Sequence, residues 1–120
     1  MLLKENRLSG KEVRWVLRRG RVFWGSFLSL RLEKIRETDP KNFQIKPGFS
    51  VIVPVSLSKK SSKRNFLKRK TREALRKKIL YIKPGFNGIV MALPGALEKS
   101  YKEIEEEIDK ILEKAKIFKS

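Results

Sequence analysis

The stretch from Lys59 to Lys78 constrains this chain more than any other: eleven of its twenty residues are Lys or Arg, and Glu73 is the one acid among them. A run so dense in like charge repels itself unless something outside it holds its shape. Leu67, Thr71, Ala74, Leu75, Ile79 and Ile82 recur at helical spacing and form one apolar stripe. Asn65, Arg69, Arg72 and Arg76 fall on the opposite side, with Lys68 on a flank. The spacing predicts a helix from about Ser62 to Ile82, stopped by Pro84-Gly85, with one face in a core and the other lined by guanidinium groups. Such a face holds phosphates at fixed geometry. The chain reads as a nucleic-acid binder.

The charge balance agrees. The 120 residues carry a formal charge of +17, well past what solubility asks. Residues 1–97 hold 24 basic and 6 acidic side chains, against 6 and 7 in residues 98–120. The excess therefore belongs to the body of the chain, and the last segment is balanced like an ordinary surface helix. A polyanion is the partner this distribution fits.

Composition also removes function classes. With no cysteine and no histidine there is no thiol nucleophile, no disulfide, no Cys/His zinc site and no imidazole base to activate a serine. Acids outside the last helix are scattered, and Glu105-Glu106-Glu107 with Asp109 reads as the solvated face of a helix rather than a metal site. Between Lys63 and Arg76 there is no glycine-rich phosphate loop. No catalytic and no metal-ligating residue is assigned. No apolar stretch nears the roughly 20 residues of a membrane span, and Met1–Arg7 lacks the apolar run of a signal peptide. The expectation is an untargeted cytoplasmic protein.

The remaining chain reads as one domain over residues 1–120, with residues 1–8 a loose basic arm. Ser9-Gly10-Lys11-Glu12 fits a capping box, opening a short amphipathic helix through Val13, Val16 and Leu17 that Gly20 closes. From Arg21 to Ile35 the pattern alternates, as a strand or strands. Leu28, Leu30 and Leu32 share one face; Phe27, Ser29 and Arg31 share the other. Asp39-Pro40 and Lys46-Pro47-Gly48 are turn signals. The β-branched run from Ser50 to Ser58 predicts a strand, with Pro54 marking an edge or a bulge. Ile89–Leu93 predicts a short buried strand. Ser100-Tyr101-Lys102-Glu103 is a second capping box, before a helix with Tyr101, Ile104, Ile108, Ile111, Leu112 and Ala115 on one side. The fold class is α+β, a small α-β sandwich with helices packed on one sheet.

With this order established, the basic segment can be set beside known patterns. Val53-Pro-Val-Ser-Leu-Ser-Lys-Lys60, then Arg64-Asn65-Phe66-Leu67-Lys68-Arg69, then Arg72-Glu73, resembles the protein component of bacterial ribonuclease P. That family ends a strand with Ser-Lys-Lys and opens a helix reading Arg-Asn-Arg-x-Lys-Arg-x-x-Arg-Glu. The opening Asn6-Arg7-Leu8, the helix closed by Gly20 and the elements after Pro84 are similar too. Three departures stand out. Phe66 replaces the second Arg, on a flank beside Lys70 and Lys77 where packing is favoured over stacking on a base. The stretch from Lys60 to Arg64 is about three residues short of the family pattern. Val13 and Leu17 stand where the family often has aromatics facing a cleft.

The resemblance implies a left-handed β-α-β crossover carrying the basic helix, and RNA as the catalytic subunit. It implies Mg²⁺ held mainly by that RNA, and a cleft between the first helix and the open sheet face for the 5′ leader of precursor tRNA. On this reading Lys59, Lys60, Lys63, Arg64, Lys68, Arg69, Arg72 and Arg76 contact RNA phosphates, Arg prevailing because its planar fork matches phosphate oxygens. Asn65 either bonds a base edge or caps the helix. Val13, Leu17, Phe27, Ser29 and Arg31 are the leader-cleft candidates, with Lys68 and Arg72 bordering the same groove. The implied partners are the ribonuclease P RNA and precursor tRNA, with no membrane and no protein partner. The alternative is a ribosomal or other rRNA-binding protein with no catalytic role. A DNA-binding helix and a free-standing protein nuclease fit less well.

Overall fold

The computed structural model describes residues 8–34, 48–83 and 85–118. The basic arm up to Arg7, the turn signals from Asp39 to Pro47, and Pro84 lie outside the described residues. Helix α1 (Gly10–Arg19) is followed by strands β1 (Arg21–Trp24), β2 (Leu28–Lys34) and β3 (Gly48–Ile52). Helix α2 (Ser61–Lys78), strand β4 (Phe86–Ala92) and helix α3 (Tyr101–Ala115) complete the order. The sheet runs β1-β2-β4-β3, with β2 antiparallel to both β1 and β4, and β3 parallel to β4. The parallel pair is joined through α2, so the basic helix is itself the crossover.

Both capping boxes form. The Ser9 hydroxyl accepts from Glu12 N–H while the Glu12 carboxylate accepts from Ser9 N–H, and Ser100 and Glu103 repeat the exchange. Each satisfies two of the four amides that a helix start leaves unpaired. The apolar stripe of α2 lands as its spacing requires: Leu67, Thr71, Ala74, Leu75, Ile79 and Ile82 are all buried. They meet Leu28, Leu30, Leu32, Phe49, Val51, Val90 and the α3 residues Ile104, Ile108, Ile111 and Leu112 in one core. Thr71 disposes of its hydroxyl by donating to the Leu67 carbonyl at 2.8 Å. Helices α2 and α3 thus share one face of the sheet. On the other face lies α1, whose Val16 is buried with Ile89 outside that core. The sheet is covered on both sides, which makes the expected sandwich.

Two expectations change. The alternation from Arg21 to Lys34 is two strands, because Gly25-Ser26-Phe27 makes a tight turn in which Gly25 N–H donates to the Leu28 carbonyl at 2.8 Å. Phe27 therefore does not share a face with Ser29 and Arg31. It is 8% exposed, packs in the core and lies under Lys99, 5.1 Å from its ring. The strand expected from Ser50 to Ser58 spans Gly48–Ile52 and gives way to a 3₁₀ turn at Val55–Leu57, with Pro54 as its N-cap. Pro54 has no amide to continue a ladder, so the chain leaves the sheet there; β3 is an edge strand, as the proline suggested.

Candidate nucleic-acid interface

The outer face of α2 is built from below. Four buried residues fix the helix axis and rotation on the sheet, so the remaining side chains have no choice of direction. Asn65, Arg69 and Arg76 are exposed, with Arg72 half-buried beside them. Lys59, Lys60 and Lys63 cluster in the open at the helix start. Among the described residues, none supplies a carboxylate to Lys59, Lys60, Lys63, Lys68, Arg69 or Arg72. Arg76 meets Glu73 at 3.4 Å, and Lys77 and Lys78 turn away to Glu105 and Asp109 of α3 at 3.5 and 3.1 Å. Lys77 is also held above its usual range, first by the Tyr101 hydroxyl and then by Glu105. The acids of α3 thus take the cations on one flank of α2 and leave those on its outer face.

The start of α2 is electrostatically unusual. Lys60 is the N-cap and offers no side-chain bond to the first-turn amides, and no acid stands in the first turn. Positive side chains at the positive end of a helix are unfavourable by themselves. Together with the unfilled amides they favour an anion. Arg64 is committed locally, donating from Nη1 to the Ser58 carbonyl at 2.7 Å and clamping the turn that carries Lys59 and Lys60. Asn65 lies within α2 rather than at its N-cap, so the capping role falls away and its amide faces solvent.

The leader-cleft candidates separate. Val13 and Leu17 are half-buried on α1, and Ser29 and Arg31 sit on the α1 side of the sheet. Arg31 Nη1 donates to the Leu17 carbonyl at 3.1 Å, bringing those two together at the end of α1. Ser29 is buried, and Phe27 belongs to the opposite face. Lys68 and Arg72 leave α2 on the flank away from α3, across the sheet from α1, so they reach that region only around the β3 edge. Two further links dock α1, Arg19 to Glu33 at 3.0 Å and Asn87 Nδ2 to Glu12 at 3.4 Å. Sequence reasoning missed a cavity of about 380 Å³ lined, among the described residues, by Lys11, Arg14, Trp15, Leu17 and Arg18 of α1. Its signal was present: basic residues interleaved with Trp15 at helical spacing.

The acidic cluster of α3 is not a uniformly solvated face. Glu105 and Asp109 are in ion pairs, and Glu107 is 6% exposed with its carboxylate accepting from Phe27 N–H at 2.8 Å. Among the described residues no group of acids is gathered to hold a metal ion.

A basic crossover helix on a four-stranded sheet, with Lys63, Lys68, Arg69 and Arg72 meeting no carboxylate among the described residues, invites comparison with known proteins. The family model for ribonuclease P matches residues 2–116. The chain belongs to the ribonuclease P protein family. It is 33% identical to the ribonuclease P protein component of Rippkaea orientalis over 98% of this chain and 91% of that one. It is 36% identical to that of Microcystis aeruginosa over 58% of each. Among solved structures, the RNase P protein of Staphylococcus aureus superposes with a TM-score of 0.79 at 19% identity, covering 95% of this chain and 98% of its own. That of Thermotoga maritima gives 0.75 at 18% identity, covering 90% and 96%; these two speak for the fold. As a ribonuclease P protein subunit the chain is an RNA-binding partner of ribonuclease P RNA in tRNA processing, and a purely ribosomal role is not favoured. No helix among the described residues is long and apolar enough to cross a membrane.

Proposed function

We propose that this chain acts in the cytoplasm as the non-catalytic subunit of ribonuclease P. It docks on the catalytic RNA through the outer face of α2 and guides the 5′ leader of precursor tRNA along the α1 side of the sheet. The observation that carries this is a set of cations on and just before α2 that meet no carboxylate among the described residues, on a helix locked at four points. Lys59, Lys60, Lys63, Lys68, Arg69 and Arg72 form a phosphate-binding surface that needs no rearrangement to engage RNA. Among the described residues no group of acids is gathered to hold a metal ion, and in this reading Mg²⁺ is bound by RNA. The protein's contribution is charge: it lowers the repulsion between two polyanions and so lowers the metal concentration their union needs.

Adding the purified protein to ribonuclease P RNA at low Mg²⁺ tests this. Precursor cleavage rises steeply in the mixture, and the protein freed of RNA cleaves nothing. Metal-dependent cleavage by RNA-free protein overturns the proposal.

A further inference from the structure

We infer that Phe66 is a stacking platform for one unpaired nucleobase of the RNA that α2 binds, an inference that rests on the proposed function above. The ring is 58% exposed in the second turn of the basic helix, away from the apolar stripe. The packing expected of it does not occur. A lone exposed apolar residue is ordinary on a protein surface, but this ring has a charged neighbour held in place. The Lys70 ammonium lies 4.7 Å from its centroid, and that ammonium is itself tied to the Lys99 carbonyl at 2.9 Å. The ring is therefore backed by a cation anchored to the turn before α3, and more than half of the residue still stands open to solvent.

The surroundings name the occupant. Lys63 and Lys70 lie one helical turn before and after Phe66, and Asn65 and Arg69 border it on the outer face. An apolar partner surface would have to bury these cations without counter-charges, at a cost that one ring does not offset. A nucleotide meets both demands: its phosphates take the cations while its base lies flat on the ring. Single-stranded nucleic acid is commonly held this way, by a cationic track with aromatic platforms, and unpaired bases of folded RNA are splayed onto aromatic side chains. The base must be unpaired, because a helical stem does not expose a base face to a side chain.

Stacking and charge respond differently to salt, and this separates the ring's role from that of its neighbours. Binding to ribonuclease P RNA is measured over a salt series for wild type, Phe66→Ala, Phe66→Leu and Phe66→Trp, with thermal melts alongside. We expect Ala and Leu to weaken binding roughly tenfold at every salt concentration, with the wild-type slope, and Trp to match or exceed Phe. Wild-type affinity for Phe66→Ala overturns the inference, as does full function with Leu, which would make the ring mere apolar bulk. A flattened salt slope for Phe66→Ala also overturns it, since the ring would then serve only to place Lys70. Should wild type bind this RNA no better than an unrelated RNA of equal length, the proposed function fails first and this inference with it, before any variant is compared.

Discussion

The Glu107 carboxylate of α3 accepts a hydrogen bond from the Phe27 backbone at 2.8 Å, eighty residues away in the chain. Phe27 in turn accepts from Leu93 N–H at 2.9 Å. The β1–β2 turn is thereby tied to both α3 and the end of β4. Gly25 completes the joint, since a Cβ there would stand 2.7 Å from Glu107 Oε2 and 2.8 Å from the Leu28 carbonyl.

Removing that carboxylate leaves a buried N–H unpaired. Glu107→Ala is expected to cost about 1–3 kcal/mol of stability, and Glu107→Gln less, because its carbonyl still accepts. Denaturant unfolding gives the values, and RNA affinity at a temperature where both variants are folded stays at the wild-type level. Gly25→Ala destabilises through the same joint.

The two faces of α2 part under substitution. Leu75→Ala removes a fully buried side chain and costs roughly 2–5 kcal/mol. Arg69→Ala and Arg72→Ala leave the melt near wild type and weaken RNA binding, each reducing the salt slope by about one counterion. Salt-titrated binding beside thermal melts reads both; a large melting loss for the arginine variants would invert the assignment.

Arg31 has two duties in the proposed function, closing the end of α1 at the Leu17 carbonyl and offering charge to the leader. Arg31→Ala should lower stability by about 1 kcal/mol and weaken precursor tRNA binding to the reconstituted holoenzyme more than mature tRNA binding. Equal losses for the two tRNAs move Arg31 out of the leader path.

Acid loosens the start of α3. The Ser100 backbone N–H, then its hydroxyl, hold Glu103 below its ordinary pKa of 4.5. A depressed carboxylate stabilises the fold above its unfolded value, and that contribution is lost as pH falls from 4.5 through the lower folded value. Wild type should therefore lose melting temperature on acidification through this window faster than Glu103→Gln, which keeps the acceptor without the titration. Parallel acid melts of the two proteins decide it.

Much of the fold was legible because its signals are local and periodic. The α2 stripe is buried residue for residue, and both capping boxes sit where Ser-x-x-Glu puts them. What was not legible depended on tertiary contact. The Gly25-Ser26 turn was hidden inside an alternating run, so Phe27 was placed on the wrong face. Glu107 read as solvated because helical spacing puts it beside other acids, and only α3 docking on the hairpin turn shows why a carboxylate is wanted there. The cationic face of α2 was readable from spacing, whereas the Phe66–Lys70–Lys99 chain joins two segments that no local pattern connects.

The helices are unequally moored. Val16 is the one fully buried residue of α1, which otherwise holds to the sheet by polar links, whereas α2 sinks four residues and is stitched to two neighbouring parallel strands. Amide hydrogens of α1 should therefore exchange through small local openings, while those of α2 wait for the whole molecule to unfold. In the proposed function, the chain thus gives a firmly moored helix to the RNA it lives with, and lends a more yielding one to a substrate that arrives and leaves.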